Sequence, residues 1–216
     1  MAQLSKNELG VPPSVSELVI SRLPQYVRVL TDLHKQCIRV VNSYQLGDIL
    51  QITPAQIRKD LSFFGKFGKQ GQGYDVRRLI RKLKEILKLD RRWNVCVVGV
   101  GRLGNALLSY PGLAPEGFHI VAAFDLDSSI VGQRVNQVTV YDMVDLESIV
   151  QCNNISIGIV AVPAASVQSV VEQLIGCGIL SILNYAPITP RVPNSVRISN
   201  VDPVISLQAM TYYIKG

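Results

Sequence analysis

The stretch from Asn94 to Asp125, NVCVVGVGRLGNALLSYPGLAPEGFHIVAAFD, constrains this chain more than any other. Val95, Cys96, Val97 and Val98 form a continuous apolar run, too short for a stable helix and rich in β-branched residues, which predicts a strand buried on both sheet faces. Gly99-Val100-Gly101-Arg102-Leu103-Gly104 follows at once. Each glycine has its own task in such a motif. Gly99 permits a tight turn, Gly101 lets backbone approach a pyrophosphate, and Gly104 lets the next helix pack closely on the strand. That helix would aim its free N–H groups and positive dipole end at the phosphates. Phe118 to Phe124 reads as a second buried strand. Asp125 stands at its carboxyl end, about 20 residues past the glycines, where an acid accepts hydrogen bonds from ribose hydroxyls. The same acid would repel a 2′-phosphate, so the expected cofactor is NAD(H) and not NADP(H). The glycines alone are a weak signal; strand, glycines, helix, strand and acid in this order carry the dinucleotide reading.

Charge divides the chain in two. Residues 1–92 hold 17 of the 22 Lys and Arg but 8 of the 16 Asp and Glu, a net +9, whereas residues 93–216 carry −3. A basic amino-terminal part joined to a mildly acidic nucleotide-binding part predicts that only the first meets a polyanion. A mean hydropathy of +0.24 with 48% hydrophobic residues excludes general disorder. No apolar segment approaches the ~20 residues of a membrane span, and the start MAQLSKNELG lacks the layout of a signal peptide, so a cytoplasmic protein without a membrane partner is expected. Cys37, Cys96, Cys152 and Cys177 show no C-x-x-C spacing and read as reduced, packed thiols; no metal site is expected.

Within the basic part, residues 1–13 end in Val11-Pro12-Pro13 and read as a tail. From Ser14 the pattern turns helical, with Val15, Leu18, Val19, Leu23, Val27, Leu30 and Leu33 at three- and four-residue steps and Ser14 and Glu17 spaced as a capping box. Pro24 interrupts the run, which predicts either a kink or two successive helices. His34 sits near the helix end, where the dipole favours a cation. Ser43 is placed to cap a short helix through Leu46, Ile49 and Leu50. Thr53-Pro54 then makes a strong helix start. The helix from Pro54 to about Phe64 is predicted to bury Ile57, Leu61 and Phe64, with Ala55, Arg58, Lys59 and Ser62 on the opposite face and Gln56 on its flank.

Two short helices joined by a tight turn, the second with a basic polar face, describe a helix-turn-helix. Arg58 and Lys59 can reach guanine edges or phosphates, Gln56 can read adenine, and Ser62 can donate to phosphate. Gly65 to Tyr74 alternates glycines with basic and aromatic residues, as a β-wing lying against the sugar-phosphate rail would; Lys66, Lys69, Gly71, Gly73 and Tyr74 are its candidate DNA contacts. Asp75 caps a helix to about Leu89, with Leu79, Leu83, Ile86 and Leu87 inward and a row of Arg and Lys outward.

Beyond the glycine motif, Val138 to Tyr141, Ile155 to Val162 and Leu180 to Asn184 read as strands, and Leu146 to Val150 and Ala164 to about Gly176 as helices. The strand ends near Gly99, Asp125, Val162-Pro163 and Asn184-Tyr185-Ala186 would face one crevice, the place where doubly wound sheets bind ligands. Six or seven strands are expected. Asp202 opens a last helix with Val204, Leu207, Met210 and Ile214 on one face, which suggests packing against a second subunit. The chain thus reads as α/β: a winged helix-turn-helix DNA-binding domain over 1–92, a Rossmann-type doubly wound sheet over 93–200 that binds NAD(H), and a carboxyl-terminal helix over 201–216.

Five groups of residues together resemble the bacterial redox-sensing transcriptional repressors of the Rex family. They are Ser21-Arg22-Leu23-Pro24 with Tyr26 and Arg28; Gln56 through Gly65 with Gly71 through Tyr74; Gly99 through Gly104 with Tyr110-Pro111-Gly112; Asn184-Tyr185-Ala186-Pro187; and Asn200-Val201-Asp202. The resemblance covers nearly the whole length. It implies a homodimer that exchanges the last helix, NADH competing with NAD+ for the crevice, and release of an inverted-repeat double-stranded DNA operator when NADH binds. It also implies that Tyr110 and Asp202 of the partner subunit form a network with Arg28 that responds to the nicotinamide, and that Arg102, Leu103 and Tyr110 belong to the cofactor site. Pro203 stands where many of the family carry a larger apolar residue.

The rival expectation is an NAD-dependent dehydrogenase with a basic accessory domain. Against it stand the lack of a substrate domain and the placement of His34 and His119 away from the crevice, so no catalytic residue is expected. A CoA-binding enzyme domain, which shares a similar glycine motif, is disfavoured by Asp125.

Overall fold

The computed structural model describes residues 15–69 and 73–214, and the chain divides into two compact units, Met1–Arg91 and Arg92–Gly216. Ser14 and Gly71 lie outside the described residues, as does the side chain of Lys69.

The first unit is built on helix α1, Glu17–Lys35. It is one helix through Pro24, where the sequence allowed a break. A proline inside a helix costs about 3 kcal/mol, but Val19, Leu23, Tyr26, Val27, Leu30 and Leu33 on either side of it are all buried, and that stripe holds the helix together. A two-residue strand β1, Val40–Val41, leads to α2, Ser43–Leu50. Its cap is Asn42 and not Ser43. Asn42 accepts from the Tyr44 and Gln45 amides while Gln45 returns a bond to the Asn42 amide, which frees Ser43 to turn inward. Helix α3, Pro54–Ser62, starts as expected: the Thr53 hydroxyl accepts from the Gln56 amide and Pro54 occupies the first turn. Strands β2, Gly68–Lys69, and β3, Gly73–Asp75, join β1 in an antiparallel sheet of order β1-β3-β2. Helix α4, Val76–Ile86, is capped by the Asp75 carboxylate and buries Val76, Leu79 and Leu83 against the α1 stripe. It ends three residues earlier than the periodicity suggested.

The α3 face that should be purely apolar contains a charge. Asp60 lies with Ile57 and Leu61 on the buried side and is fully inaccessible. Arg22 donates to both its oxygens, at 2.6 and 2.8 Å, and the Tyr26 hydroxyl donates at 2.6 Å. Burial alone would raise the Asp60 carboxyl, but the hydrogen bonds from Arg22, Tyr26 and Gln56 outweigh it and hold the group below the ordinary carboxylate range. Burial likewise pushes the Tyr26 hydroxyl up, and the bond to Asp60 raises Arg22. Two residues of α1 are thereby locked onto α3.

The second unit is a seven-stranded sheet of order β10-β9-β8-β4-β5-β7-β6. Its strands are β4 Trp93–Val98, β5 Phe118–Asp125, β6 Arg134–Val135, β7 Val138–Asp142, β8 Ile155–Val160, β9 Ser181–Asn184 and β10 Arg197–Asn200. All pairs are parallel except the β6–β7 hairpin. The central strand shows why. Cys96 and Val98 join one cluster with Leu146, Val150, Val167, Val171 and Leu174, whereas Val95 and Val97 join another with Leu108 and Val140. The first cluster is covered by α6, Leu146–Cys152, and α7, Val167–Gly176; the second lies on the side of α5, Arg102–Leu108. A strand apolar at every position from Val95 to Val98 has no face to turn to water there, so helices must cover both. Burial pushes the Cys96 thiol up to about 12, which makes it inert, and Cys37 and Cys152 are exposed, contrary to the expectation of packed thiols.

Strands β6 and β10 were not anticipated, and β8 stops two residues short of Val162. The last helix α8, Pro203–Thr211, is opened by Asp202, which accepts from the Val204 amide. Its apolar residues are not confined to one face. Val204, Ile205, Leu207 and Met210 are all more than half exposed, as are Tyr212, Tyr213 and Ile214 beyond its end. Among the described residues no helix is long and apolar enough to cross a membrane.

Asp60→Ala removes one partner of a buried ion pair and is expected to cost about 3 kcal/mol in urea unfolding at neutral pH. Because the folded carboxyl titrates below its ordinary value, the stabilisation is fully present above that value and lost as the pH falls through the folded one. The difference between wild type and variant should therefore narrow in acid; a difference independent of pH would show that the ionised form of Asp60 contributes no more than the neutral one.

Candidate functional site

The chain leaves β4 towards β5 on one side and later returns to β8 on the other, so the order in which strands are added reverses between the parallel neighbours β4 and β8. Such a reversal opens a crevice between the two outgoing loops. Backbone bonds tie these loops together at their roots. Gly99 N–H donates to Phe124 O, Ala161 N–H to Val98 O, and Tyr185 N–H to Val160 O, each at 2.8–2.9 Å.

The three glycines separate cleanly by what surrounds them. Gly99 has φ +93°, and a Cβ there would lie 2.6 Å from the Ala161 carbonyl oxygen. A Cβ on Gly104 would overlap the Gly99 carbonyl oxygen, so α5 sits on the loop as closely as backbone allows. Gly101 is different: nothing lies within 4 Å of where its Cβ would be. The protein's own packing explains the first and third glycines but not the second, whose open side faces solvent. Arg102 and Leu103, exposed at the start of α5, flank that opening.

Asp125 is half-buried at the end of β5, and its carboxylate is already engaged. Oδ2 accepts from the Val100 amide at 2.6 Å, and Oδ1 accepts from the amides of Leu126 and Asp127 at 2.7 and 3.0 Å. The acid therefore pins the glycine loop to β5, a role the spacing alone did not suggest. One of its roughly four acceptor positions remains for a ligand hydroxyl.

The other strand ends differ from the expectation in detail. Val162 is half-buried beside Gly99, and Pro163 is exposed before a 3-10 turn at Ala164–Ser166. Asn184 was expected to face a cofactor. It is fully buried: its Nδ2 donates to Ala186 O, Ile188 O and Asn200 Oδ1, and its Oδ1 accepts from the Ala186 amide. With every polar atom used, Asn184 shapes the loop carrying Tyr185 and Ala186, and the crevice is left to its neighbours. Tyr110 is exposed, its ring lying over Gly112, and Asp202 is half-buried at the start of α8. Arg28 is exposed on α1.

In the first unit, Lys59, Ser62 and Lys66 are exposed. Arg58 donates to Ser43 Oγ at 2.8 Å, and its guanidinium carbon lies 6.0 Å from the centre of the exposed Tyr44 ring. Tyr74 is close enough to feel the same cation: burial raises its hydroxyl and Arg58 partly offsets this. Arg58 is thus braced where α2, α3 and the wing meet, a less mobile group than a solvated arginine. Gly73 has φ +73°, and a Cβ there would lie 2.7 Å from Val41 O, so its glycine serves the β1–β3 pairing. Gln56 is half-buried, with Nε2 donating to Asp60 Oδ1 at 2.6 Å. Sequence reading missed Tyr44, and gave Asp60, Arg22 and Tyr26 no role. An acid on the inward stripe of an amphipathic helix was the available signal, since a buried charge needs partners.

Two family models match the chain: "Putative DNA-binding protein N-terminus" over residues 14–62 and "CoA binding domain" over residues 90–188. A redox-sensing transcriptional repressor Rex of Chloroflexus aggregans is 45% identical over 203 residues, covering 94% of each chain. One of Carboxydothermus hydrogenoformans is 41% identical over 201 residues, covering 93% of this chain and 97% of the other. The crystal structure of RSP in complex with β-NAD+ and operator DNA is similar with a TM-score of 0.88 and 36% identity, over 94% of this chain and 93% of that one. RSP in complex with β-NADH gives 0.84 and 34%, over 94% and 95%.

Gly104→Ala is expected to lift α5 from the loop and lower the thermal stability of the second unit by several degrees, read by differential scanning calorimetry. An unchanged melting temperature would show that α5 is not held at this distance.

Proposed function

The chain belongs to the Rex family of redox-sensing transcriptional repressors, and from that premise we propose that it binds operator DNA through the first unit and NADH or NAD+ in the crevice of the second, the bound form deciding whether DNA is held. One observation carries this reading: the similarity to RSP with β-NAD+ and operator DNA spans both units together. A Rossmann-type domain alone is shared by many proteins of unrelated activity.

The residues present fit a dinucleotide. Gly101 leaves the open side that close approach of a pyrophosphate requires, Asp125 keeps acceptor capacity for a ribose hydroxyl, and Val162 and Tyr185 supply apolar and aromatic surface. The nicotinamide supplies a ring that is positively charged when oxidised and neutral when reduced. A site with apolar walls and a nearby cation would favour the neutral ring, and so NADH over NAD+. The protein is a regulator and not an enzyme. In agreement, His119 pairs with Asn94 near the amino ends of β5 and β4, at the opposite edge of the sheet from the crevice.

On the DNA side, α3 enters the major groove with Lys59 and Arg58 on phosphates or guanines, Gln56 on a base edge, and Ser62, Lys66, Lys69 and the wing glycines with Tyr74 along the backbone. A homodimer presents two such helices to an inverted repeat. Support for the dimer comes from α8, whose exposed apolar residues lie on every side, so that a single covering surface would leave half of them in water. Insertion of α8 into a second copy buries them all. Arg28, Tyr110 and Asp202 of the partner subunit then form the polar network that reports the state of the ring. Linkage makes the coupling reciprocal: if NADH weakens operator binding, operator weakens NADH binding by the same factor.

A mobility-shift titration on upstream DNA at fixed salt tests the reading. NADH is expected to release the fragment and NAD+ to retain it; release indifferent to the cofactor ratio would remove the sensor function. Gly101→Ala separates fold from ligand, because the backbone there is extended and the added methyl meets no protein atom. Its melting temperature should match wild type while NADH affinity, followed by nicotinamide fluorescence, falls at least tenfold. Leu207→Asp is expected to shift the mass seen in sedimentation from dimer towards monomer and to abolish tight operator binding; a stable dimer in that variant would show that α8 lies outside the interface.

A further inference from the structure

The carboxylate of Asp60 is saturated. Oδ2 accepts from Arg22 Nε and the Tyr26 hydroxyl, and Oδ1 accepts from Arg22 Nη2 and Gln56 Nε2, so each oxygen takes two donors. Arg22 and Tyr26 suffice to join α1 to α3. The fourth donor is not needed for that task, since the Gln56 amide sits at the rim of α3 and water could satisfy it. Resting on the DNA-binding reading above, we infer that Asp60 is a positioning residue for sequence recognition: its carboxylate fixes which end of the Gln56 amide meets the bases.

The oxygen and nitrogen of a glutamine amide are nearly equal in size, and a freely rotating amide can offer a base either a donor or an acceptor. A carboxylate accepts only, so it pairs with Nε2 and never with Oε1. The bond to Asp60 is 2.6 Å long, charge-assisted, and closes within one helical turn between positions i and i+4. Gln56 therefore offers Oε1 outward, and among the described residues that oxygen accepts no bond. In the major groove an outward acceptor suits bases with an exocyclic amino group, adenine N6 or cytosine N4, and is repelled by the O6 of guanine and the O4 of thymine. The adenine contact that residue type alone suggested is thus narrowed to an acceptor contact. Arg22 and Tyr26 close off the other lone pairs, so Asp60 cannot swing aside to release the amide.

The test uses the full-length protein. Duplexes are selected from a random-sequence pool by wild type at fixed salt, and the winning duplex and its single-base variants are then titrated with wild type, Asp60→Asn, Gln56→Leu and the double variant. Wild type is expected to require adenine or cytosine at one position of each half-site, losing about tenfold in affinity on guanine or thymine there. Asp60→Asn provides both donor and acceptor, lets the amide turn over, and should reduce that loss to about threefold or less while discrimination at the other positions stays intact. Gln56→Leu should do the same, and the double variant should be no worse than either single one, because both act through one amide.

If Asp60→Asn weakens binding equally at every position, or preserves the amino-group preference, or adds its effect to that of Gln56→Leu, Asp60 is a structural residue only and the inference fails. Should Asp60→Asn not fold, as judged by its melting curve, Gln56→Leu decides: a preference unchanged at every position in that variant overturns the inference. A wild-type protein that selects no duplex over the pool would instead overturn the DNA-binding reading itself.

Discussion

A carboxylate drawn away from water collects hydrogen-bond donors in its place, and two such groups, one fully and one partly buried, organise the two halves of this protein. Asp60 gathers side chains from α1 and α3, and Asp125 gathers three backbone amides around the end of β5. Apolar burial would be satisfied by several ways of sliding α3 along α1, because an oily surface does not specify register. Three directional bonds from Arg22 and Tyr26 to one buried carboxylate allow one register only. The same holds for the glycine loop, which has little side chain to pack and owes its placement to the Val100 amide bond.

These two anchors bear on the proposed coupling. Arg28 lies on α1 less than two turns from Arg22 and Tyr26, so any force on Arg28 is felt by a helix already fastened to α3. In the second unit Asp125 holds the loop that would receive a pyrophosphate, so the crevice is shaped before a ligand arrives, and less ordering remains to oppose binding. A sensor benefits from both. A rigid reader turns a small displacement into a mismatch with DNA, whereas a loose one would absorb it.

Several features were legible in the sequence because their causes are local. The apolar run of β4, the glycines, the acid at the end of β5 and the Thr53-Pro54 helix start each depend on neighbours within a few residues or on one βαβ unit. The charge asymmetry was equally plain. Some elements were not legible: β1 and β6 have two residues each, too few for periodicity to register, and β10, Arg-Ile-Ser-Asn, has a single apolar residue, so each depends on the partner strand that offers its edge. Asn42 displaced Ser43 as the cap of α2 for a related reason, since Ser43 was needed by Arg58 fifteen residues away.

The sequence by itself determined that this chain would make a buried parallel strand leading into a phosphate-type loop, and a basic helix-turn-helix ahead of it, because backbone conformation and amphipathic period are set by residue type and spacing. Only the tertiary structure decided that Asn184 is spent on its own loop, that Asp125 braces the glycines, that Gln56 is held by Asp60, and that α8 is left bare on all sides. Each of those outcomes depends on which donors and which apolar surfaces arrive from distant parts of the chain. No local preference encodes that arrival.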